Sequence, residues 1–179
     1  MHGEGSYTYT NGDRYEGTLY ENKKHGTGFM FYVSGDRYAG QFEQDRVQGR
    51  GTIFHSNHDR FEGQWKGGKM DGTGTYFYEN GDRYEGEWRE DKMDGRGLFF
   101  FRNGDTYDGM YSLDKIDGEG TFTWSVGRFA GDRYDGGWQE SMRNGRGVYT
   151  FASGDKWEGL YRNDKRVEAA GTYYQKKRM

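Results

Sequence analysis

The chain has 179 residues, and its 26 basic and 29 acidic side chains give a formal net charge of −3, which argues against a dedicated nucleic-acid binder. It contains no cysteine, so disulfide frameworks and cysteine-based metal or thiol chemistry are excluded. Aromatic residues make up 18% of the chain and glycine contributes 32 residues, which predicts an ordered structure held by rings rather than by an aliphatic core.

A short pattern, aromatic–acidic–Gly–x–aromatic, recurs along the chain. Its copies start at Tyr15, Tyr38, Phe61, Tyr84, Tyr107, Tyr134 and Trp157. A Gly-x-Gly element follows each of the first six starts, as in Gly26 and Gly28. A fixed period is typical of repeat architectures, so we predict one structural unit copied along the chain.

Each unit carries two short stretches with period-2 patterning, which predicts a β-hairpin rather than a helix. Tyr84, Gly86 and Trp88 fall on one face of such a strand, and glycine between two rings leaves room for a ring to lie over the backbone. Asn11-Gly12, like the Asn-Gly pairs at 80–81 and 103–104, predicts a two-residue type I′ turn with positive φ at both positions.

These patterns predict an all-β fold without significant helix. We expect an elongated, twisted, single-layer antiparallel sheet of about fourteen strands, built hairpin upon hairpin, in which each unit contacts only its neighbours. The predicted units are a partial unit at 1–14, repeats at 15–37, 38–60, 61–83, 84–106, 107–133 and 134–156, a degenerate capping unit at 157–174, and a basic tail at 175–179.

Four features depart from the repeat. Ala39 replaces the acidic residue in the second unit, and Leu19 replaces the second aromatic residue in the first. An insertion around residues 125–130 predicts a bulge or a longer turn. The last unit lacks its first glycine.

The chain starts in the middle of a unit. The sequence therefore leaves open whether Met1 is a genuine start or the array continues upstream. Either case predicts an open strand edge near residues 3–9.

The segments YEGEW at 84–88, REDKMDGRG at 89–97 and NGD at 103–105 resemble the MORN repeat (membrane occupation and recognition nexus), and the resemblance covers nearly the whole chain. It implies a single-layer, gently curved sheet that acts as a scaffold. Such repeats occur in cytoskeletal and ciliary proteins, in junctional membrane proteins, and attached to lipid kinases and methyltransferases.

No catalytic constellation stands out, so we expect no enzymatic activity, no cofactor and no metal. His55 and His58 sit at a turn position and are interpreted as solvated turn residues. Acidic residues recur beside basic ones, which predicts cross-strand salt bridges rather than glycosidase carboxylate pairs. The acids are Glu16, Glu62, Glu85, Asp108, Asp135 and Glu158, and the bases are Arg14, Arg60, Arg83, Arg133 and Lys156.

The aromatic rows supply the candidate binding residues. A single-layer sheet has no second layer to cover them, so we expect some rings to stay accessible along a groove that binds an extended peptide or a helix of a protein partner. The predicted partner-binding residues are Tyr38, Phe42, Phe61, Trp65, Tyr84, Trp88, Tyr107, Tyr111, Tyr134 and Trp138. The interpretation that these rings are only the core of the sheet stays open.

The functional hypothesis is a non-enzymatic scaffold that binds cytoskeletal or axonemal proteins, or a second copy of itself, through its aromatic face and strand edges. The family resemblance places it in the cytoplasm, at the cytoskeleton or in the axoneme of a cilium or flagellum. Two alternatives stay open: a peripheral membrane module that binds anionic phospholipid, with Lys176 and its basic neighbours as a weak contact, and the regulatory part of a larger protein.

Overall fold

The computed structural model describes residues 2–176. In the described chain the strands form a single open antiparallel sheet, and their order in the sheet follows their order in the sequence. The chain divides into two compact units: residues up to Gly81 with Glu87–Lys92, and Asp82–Gly86 with the residues from Met93 onward. The all-β prediction is confirmed.

The first unit contains β1 (Gly3–Thr8), β2 (Arg14–Tyr20), β3 (Lys23–Phe31), β4 (Arg37–Glu43), β5 (Arg46–Phe54), β6 (Arg60–Lys66) and β7 (Lys69–Phe77). The unit boundary falls within β8 (Arg83–Arg89). The second unit continues with β9 (Lys92–Phe100), β10 (Thr106–Ser112), β11 (Lys115–Thr123), β12 (Arg133–Gln139), β13 (Met142–Thr150), β14 (Lys156–Arg162) and β15 (Lys165–Tyr174).

The described residues form 15 strands where we expected about fourteen, because the incomplete first repeat also supplies one. This strand, β1, pairs with β2 from Gly3↔Leu19 to Thr8↔Arg14. The insertion forms a longer turn, as predicted, with a short 3₁₀ segment at Gly127–Phe129. Residues 177–179 of the predicted basic tail, and Met1, lie outside the described residues.

Glycines line up across neighbouring strands in each unit. In the first unit the register joins Gly5, Gly17, Gly28, Gly40, Gly51, Gly63 and Gly74. In the second it joins Gly97, Gly109, Gly120, Gly136, Gly147, Gly159 and Gly171. The first aromatic ring of each repeat lies over this row; a Cβ on Gly28, for example, would lie 2.6 Å from Cε2 of Tyr15. The predicted packing of rings on glycine is confirmed.

Type I′ turns occur in the structure, but not where the Asn-Gly pairs predicted them. At Asn11-Gly12 only the glycine has positive φ, and the Gly12 N–H donates to the carbonyl of Tyr9 within a longer loop. Positive φ at two successive residues is found instead at the other hairpin ends, for example 50° and 62° at Glu21 and Asn22 between β2 and β3. The prediction for the Asn-Gly pairs is therefore wrong, because only the two-residue connections impose both positive angles.

Candidate functional site

The ten predicted partner-binding residues all lie on the glycine side of the sheet, which we call the core face. Their exposed fractions run only from 0% to 8%. The expected accessibility of these rings is wrong, because the second ring of each repeat packs over the first one. Direct contact between any of the ten and a partner stays a prediction.

Edge-to-face ring packing seals this core within each unit. The ring of Tyr38 contacts those of Phe42 and Trp65, with centroids 5.2 and 5.4 Å apart and the planes nearly perpendicular. The indole of Trp65 also donates a hydrogen bond from Nε1 to the carbonyl of Gly51 at 3.0 Å. Such pairs add about 0.5–1.5 kcal/mol each beyond the area that they bury.

The buried tyrosine hydroxyls turn back onto their own strand. Tyr15 donates to the carbonyl of Thr18 at 2.8 Å, and Tyr134 donates to that of Gly137 at 3.0 Å. Burial, with a smaller contribution from nearby acidic groups such as Glu4, raises the pKa of Tyr15 to about 12. The hydroxyls therefore act as satisfied core groups rather than as acids or nucleophiles.

A second set of rings on the core face, less deeply covered than the first, forms a continuous row in the second unit. Its successive centroids are 4.6, 5.6, 4.6, 5.5, 4.9 and 5.9 Å apart. We call it the ring stripe; its members are Phe99, Phe101, Phe122, Trp124, Tyr149, Phe151 and Tyr173. Tyr149 is buried, Tyr173 is exposed, and the other five are half-buried.

Sequence reasoning did not select the ring stripe, although its signal is visible. Four repeats carry two rings two residues apart at the end of the second strand, namely Tyr76 with Tyr78, Phe99 with Phe101, Phe122 with Trp124, and Tyr149 with Phe151. Alternation along a strand places such rings on the same face as the first aromatic rows, but it does not reveal which row is buried and which is exposed. The structure shows that the ten residues predicted from the sequence form the buried core and that the rings of the ring stripe are more exposed to solvent.

Aspartates at the loop ends connect successive repeats, a role that sequence reasoning also missed. A carboxylate oxygen of Asp36 accepts the backbone N–H of Ser56 at 2.8 Å, and Asp105 accepts that of Ser125 at 2.6 Å. The backbone hydrogen bond from Ser56 is the largest influence on Asp36 and lowers the pKa of its carboxyl. The recurrent Gly-Asp dipeptides are thus structural.

The opposite side of the sheet, which we call the charged face, carries ion pairs within strands. Arg60 pairs with Glu62 at 3.2 Å and Arg83 with Glu85 at 2.9 Å, each two residues along the same strand. Arg14–Glu16 and Arg133–Asp135 pair in the same way. The predicted cross-strand pairing is wrong for these four, because residues i and i+2 share a face; Arg96–Asp108 is a cross-strand pair.

Several of these arginines also make a cation–π contact with an aromatic ring on the neighbouring strand. The guanidinium of Arg14 lies 4.3 Å from the ring centroid of Phe31, and that of Arg60 lies 4.2 Å from that of Phe77. Arg14 and Phe31 face each other in the β2–β3 register. Each arginine therefore combines a cation–π contact across the strands with a carboxylate along its own strand.

The two turn histidines lie beside acids: His55 Nδ1 is 3.7 Å from Asp36, and His58 Nδ1 is 3.4 Å from Glu79. Across residues 2–176, no three His, Asp or Glu side chains gather as metal ligands would. In the same residues, no helix has the length and apolar character needed to span a bilayer.

The repeat family is shown by a family model. The MORN repeat model matches residues 1–14, 15–37, 38–60, 61–83, 84–106, 107–127 and 134–156. The chain therefore belongs to the MORN repeat family. No curated protein gave a significant match to the chain.

Among solved structures, the chain is similar to the TCP domain of Drosophila melanogaster SAS-4 (dCPAP), solved with a proline-rich motif of Ana2 (dSTIL). The identity is 14%, the TM-score is 0.47, and the match covers 97% of this chain and 85% of that one. The TCP10 domain of Danio rerio CPAP, solved with a STIL peptide, matches at 14% identity and a TM-score of 0.49, covering 87% of this chain and 73% of that one.

Proposed function

We propose that this MORN-repeat chain is a non-catalytic scaffold that binds protein partners, in a cytoskeletal assembly such as the axoneme of a cilium or flagellum. One observation carries the proposal: most rings of the ring stripe stay partly exposed, although the other aromatic rows on the same face are buried. Large rings in reach of solvent are the groups that dominate protein-binding hot spots.

The core residues support the stripe. The ring of Trp138, buried in the core face, lies 6.3 Å from that of Phe122, which belongs to the stripe. Trp124 packs between Phe122 and Tyr149, and the hydroxyl of Tyr149 donates to the Asp132 carboxylate. These contacts fix the rings in place, so that binding a partner costs little side-chain entropy.

An extended segment or a helix of a partner suits a row of rings spaced by the strand repeat. The ten residues predicted from the sequence enter this proposal as buried core rings, and Trp138, whose ring lies beside that of Phe122, supports the ring stripe directly. Self-association through the strand edges or faces is a second partner mode within the same proposal.

Fractionation of cells that express the tagged chain tests the proposal. We expect the intact chain to stay in the detergent-resistant cytoskeletal fraction and the double variant Trp124→Ala, Phe151→Ala to be released. The matched control is Leu160→Ala on the charged face, because Leu160 is 39% exposed and its loss leaves the stripe intact. Circular dichroism checks that each variant keeps its fold.

Release of the intact chain by detergent would contradict the cytoskeletal assignment. Equal retention of the stripe variant and the control would contradict the role of the rings. Binding of the purified chain to anionic vesicles alone, lost when salt is added, would favour the membrane alternative instead.

A further inference from the structure

The second repeat interrupts the ion-pair pattern of the charged face. Register places Phe29, Ala39 and Thr52 side by side on β3, β4 and β5, with Phe31, Arg37 and Phe54 as the next row. At the position of Ala39, the other repeats carry an acidic residue, such as Glu16 or Glu62. A methyl group therefore stands where a carboxylate normally lies.

The missing carboxylate leaves an apolar depression. A cavity of about 430 Å³ is lined by Phe29, Phe31, Arg37, Tyr38, Ala39 and Phe54. We call it the Phe29–Phe54 slot. Its volume falls within the roughly 300–1,000 Å³ of ligand pockets.

The rings at the two sides of the slot are unusually open. Phe29 is 55% exposed and Phe54 is 38% exposed. Phe29 is also a departure from the repeat, because the corresponding positions carry Thr52 and Thr75 in the next two units. Two changes from the repeat, at residues 29 and 39, thus coincide at one place and both enlarge the apolar surface.

The same change leaves a cation without its partner. Within residues 2–176, Arg37 forms no ion pair, whereas the carboxylates of Glu16 and Glu62 are each held by the arginine of their own strand. The Arg37 guanidinium lies 5.9 Å from the Phe54 ring centroid, farther than the 4.3 Å between Arg14 and Phe31. It stands at the slot with its charge uncompensated.

We propose that the Phe29–Phe54 slot binds an extended acidic peptide segment that inserts an aromatic side chain over Ala39 and places a neighbouring carboxylate on Arg37. The proposal rests on the proposed function, and it names a site and a ligand chemistry on the face opposite the core. Two phenylalanine rings favour an aromatic ligand through edge-to-face contacts, and a guanidinium binds carboxylate in a forked geometry.

Backbone amide chemical shifts of the full chain, followed by NMR during titration, test the proposal. The probe is N-acetyl-Gly-Asp-Phe-Asp-Gly-amide, and the control peptides replace either its Phe by Ala or both Asp by Asn. We expect shifts centred on the slot, with a dissociation constant on the order of 1 mM or below, and weaker binding of both control peptides.

Two variants that follow the repeat itself provide matched controls for folding. Ala39→Glu supplies the acid found in the other repeats, and Phe29→Thr supplies the residue of the next two units. Each variant is expected to weaken binding of the probe peptide at least about tenfold. Ala39→Glu compensates the charge of Arg37 and fills the slot, whereas Phe29→Thr removes the ring at one side of the slot. Glu62→Ala removes the carboxylate that pairs with Arg60, but it places the new alanine between Thr52 and Thr75, where no phenylalanine corresponds to Phe29. It should leave binding unchanged and create no second site.

Absence of shifts at the slot, or equal binding by the intact chain and Ala39→Glu, would overturn the proposal. Equal binding of the peptide that lacks Phe would also overturn it, since charge alone would then suffice. A second site in Glu62→Ala would overturn it as well, since binding would then not require Phe29. The scaffold proposal is tested separately. Release of the Trp124→Ala, Phe151→Ala variant from the cytoskeletal fraction would support the scaffold proposal even if the slot does not bind the peptide. Peptide binding at the slot, in turn, is measured independently of that release.

Discussion

The ring of Tyr84 occupies the space directly above Gly86. A Cβ on Gly86 would lie 2.6 Å from Cζ of Tyr84 and 2.6 Å from Cα of Gly97 on the next strand. Neither distance is compatible with a side chain, so ring and glycine must occur together. This pairing explains how a chain poor in aliphatic residues builds a core: bare backbone serves as the surface on which the rings pack.

Gly86→Val should destabilise the fold by about 3 kcal/mol or more, because the branched side chain displaces the ring or separates the strands. The matched control is Gly67→Asn. Gly67 has a φ of 58° in an open type I′ turn where another repeat carries Asn163, and asparagine tolerates this conformation. Denaturant unfolding compares the two, and an unchanged midpoint for Gly86→Val would refute the packing of ring on glycine.

Trp65→Ala should cost about 3–5 kcal/mol, because Trp65 fills the space between Tyr38 and Phe61. Trp65→Phe should cost much less, since Phe42 occupies the same position in the preceding repeat and an aromatic ring is kept, although the Nε1 hydrogen bond to Gly51 and part of the indole packing are lost. Thermal unfolding measures both variants. Similar losses for Ala and Phe would show that the hydrogen bond, not ring packing, stabilises this position.

Asp36→Ala should cost about 1.5–3 kcal/mol, because it leaves the Ser56 N–H without its charged acceptor. The lowered pKa of Asp36 means that its contribution is present above the unfolded value of about 4 and is lost as the pH falls through the lowered pKa. The stability difference between the intact chain and the variant should therefore shrink in acid. A difference that stays constant from neutral to strongly acidic pH would contradict the ionised role of Asp36.

Alkaline titration should separate the buried tyrosines from the exposed ones. Burial raises the pKa of Tyr15, Tyr38, Tyr107 and Tyr134, so the stability that these groups contribute is fully present below about pH 10 and is lost as the pH rises beyond it. We expect ultraviolet absorbance of phenolate to rise in two steps, the second coinciding with the loss of the β circular-dichroism signal. A single step in the folded protein would contradict the burial of these hydroxyls.

The periodic part of the structure was predictable from the sequence. The alternation around Gly86 predicted the hairpins and the face on which Tyr84 packs, because strand geometry fixes which residues share a face. The longer turn at Gly127–Phe129 followed from the insertion. These features depend on spacing alone.

Features that depend on three-dimensional packing were not predictable in the same way. The sequence cannot show that Trp65 covers Tyr38, so the buried rows were expected to be accessible and the ring stripe was overlooked. The same limit applies to Arg60, which pairs with Glu62 on its own strand while its guanidinium lies over the ring of Phe77 on the next strand. The turn at Asn11-Gly12 was misassigned because the length of its loop sets its geometry.

A photo-cross-linking experiment at two adjacent residues tests the central claim most directly. Tyr173 and Tyr174 are 50% and 51% exposed, and alternation along β15 places Tyr173 in the ring stripe and Tyr174 on the charged face. With p-benzoylphenylalanine at either position in cells, the scaffold account predicts cross-links to discrete cytoskeletal proteins from position 173 and few from position 174. No cross-links from position 173, or the same products from both positions, would contradict it.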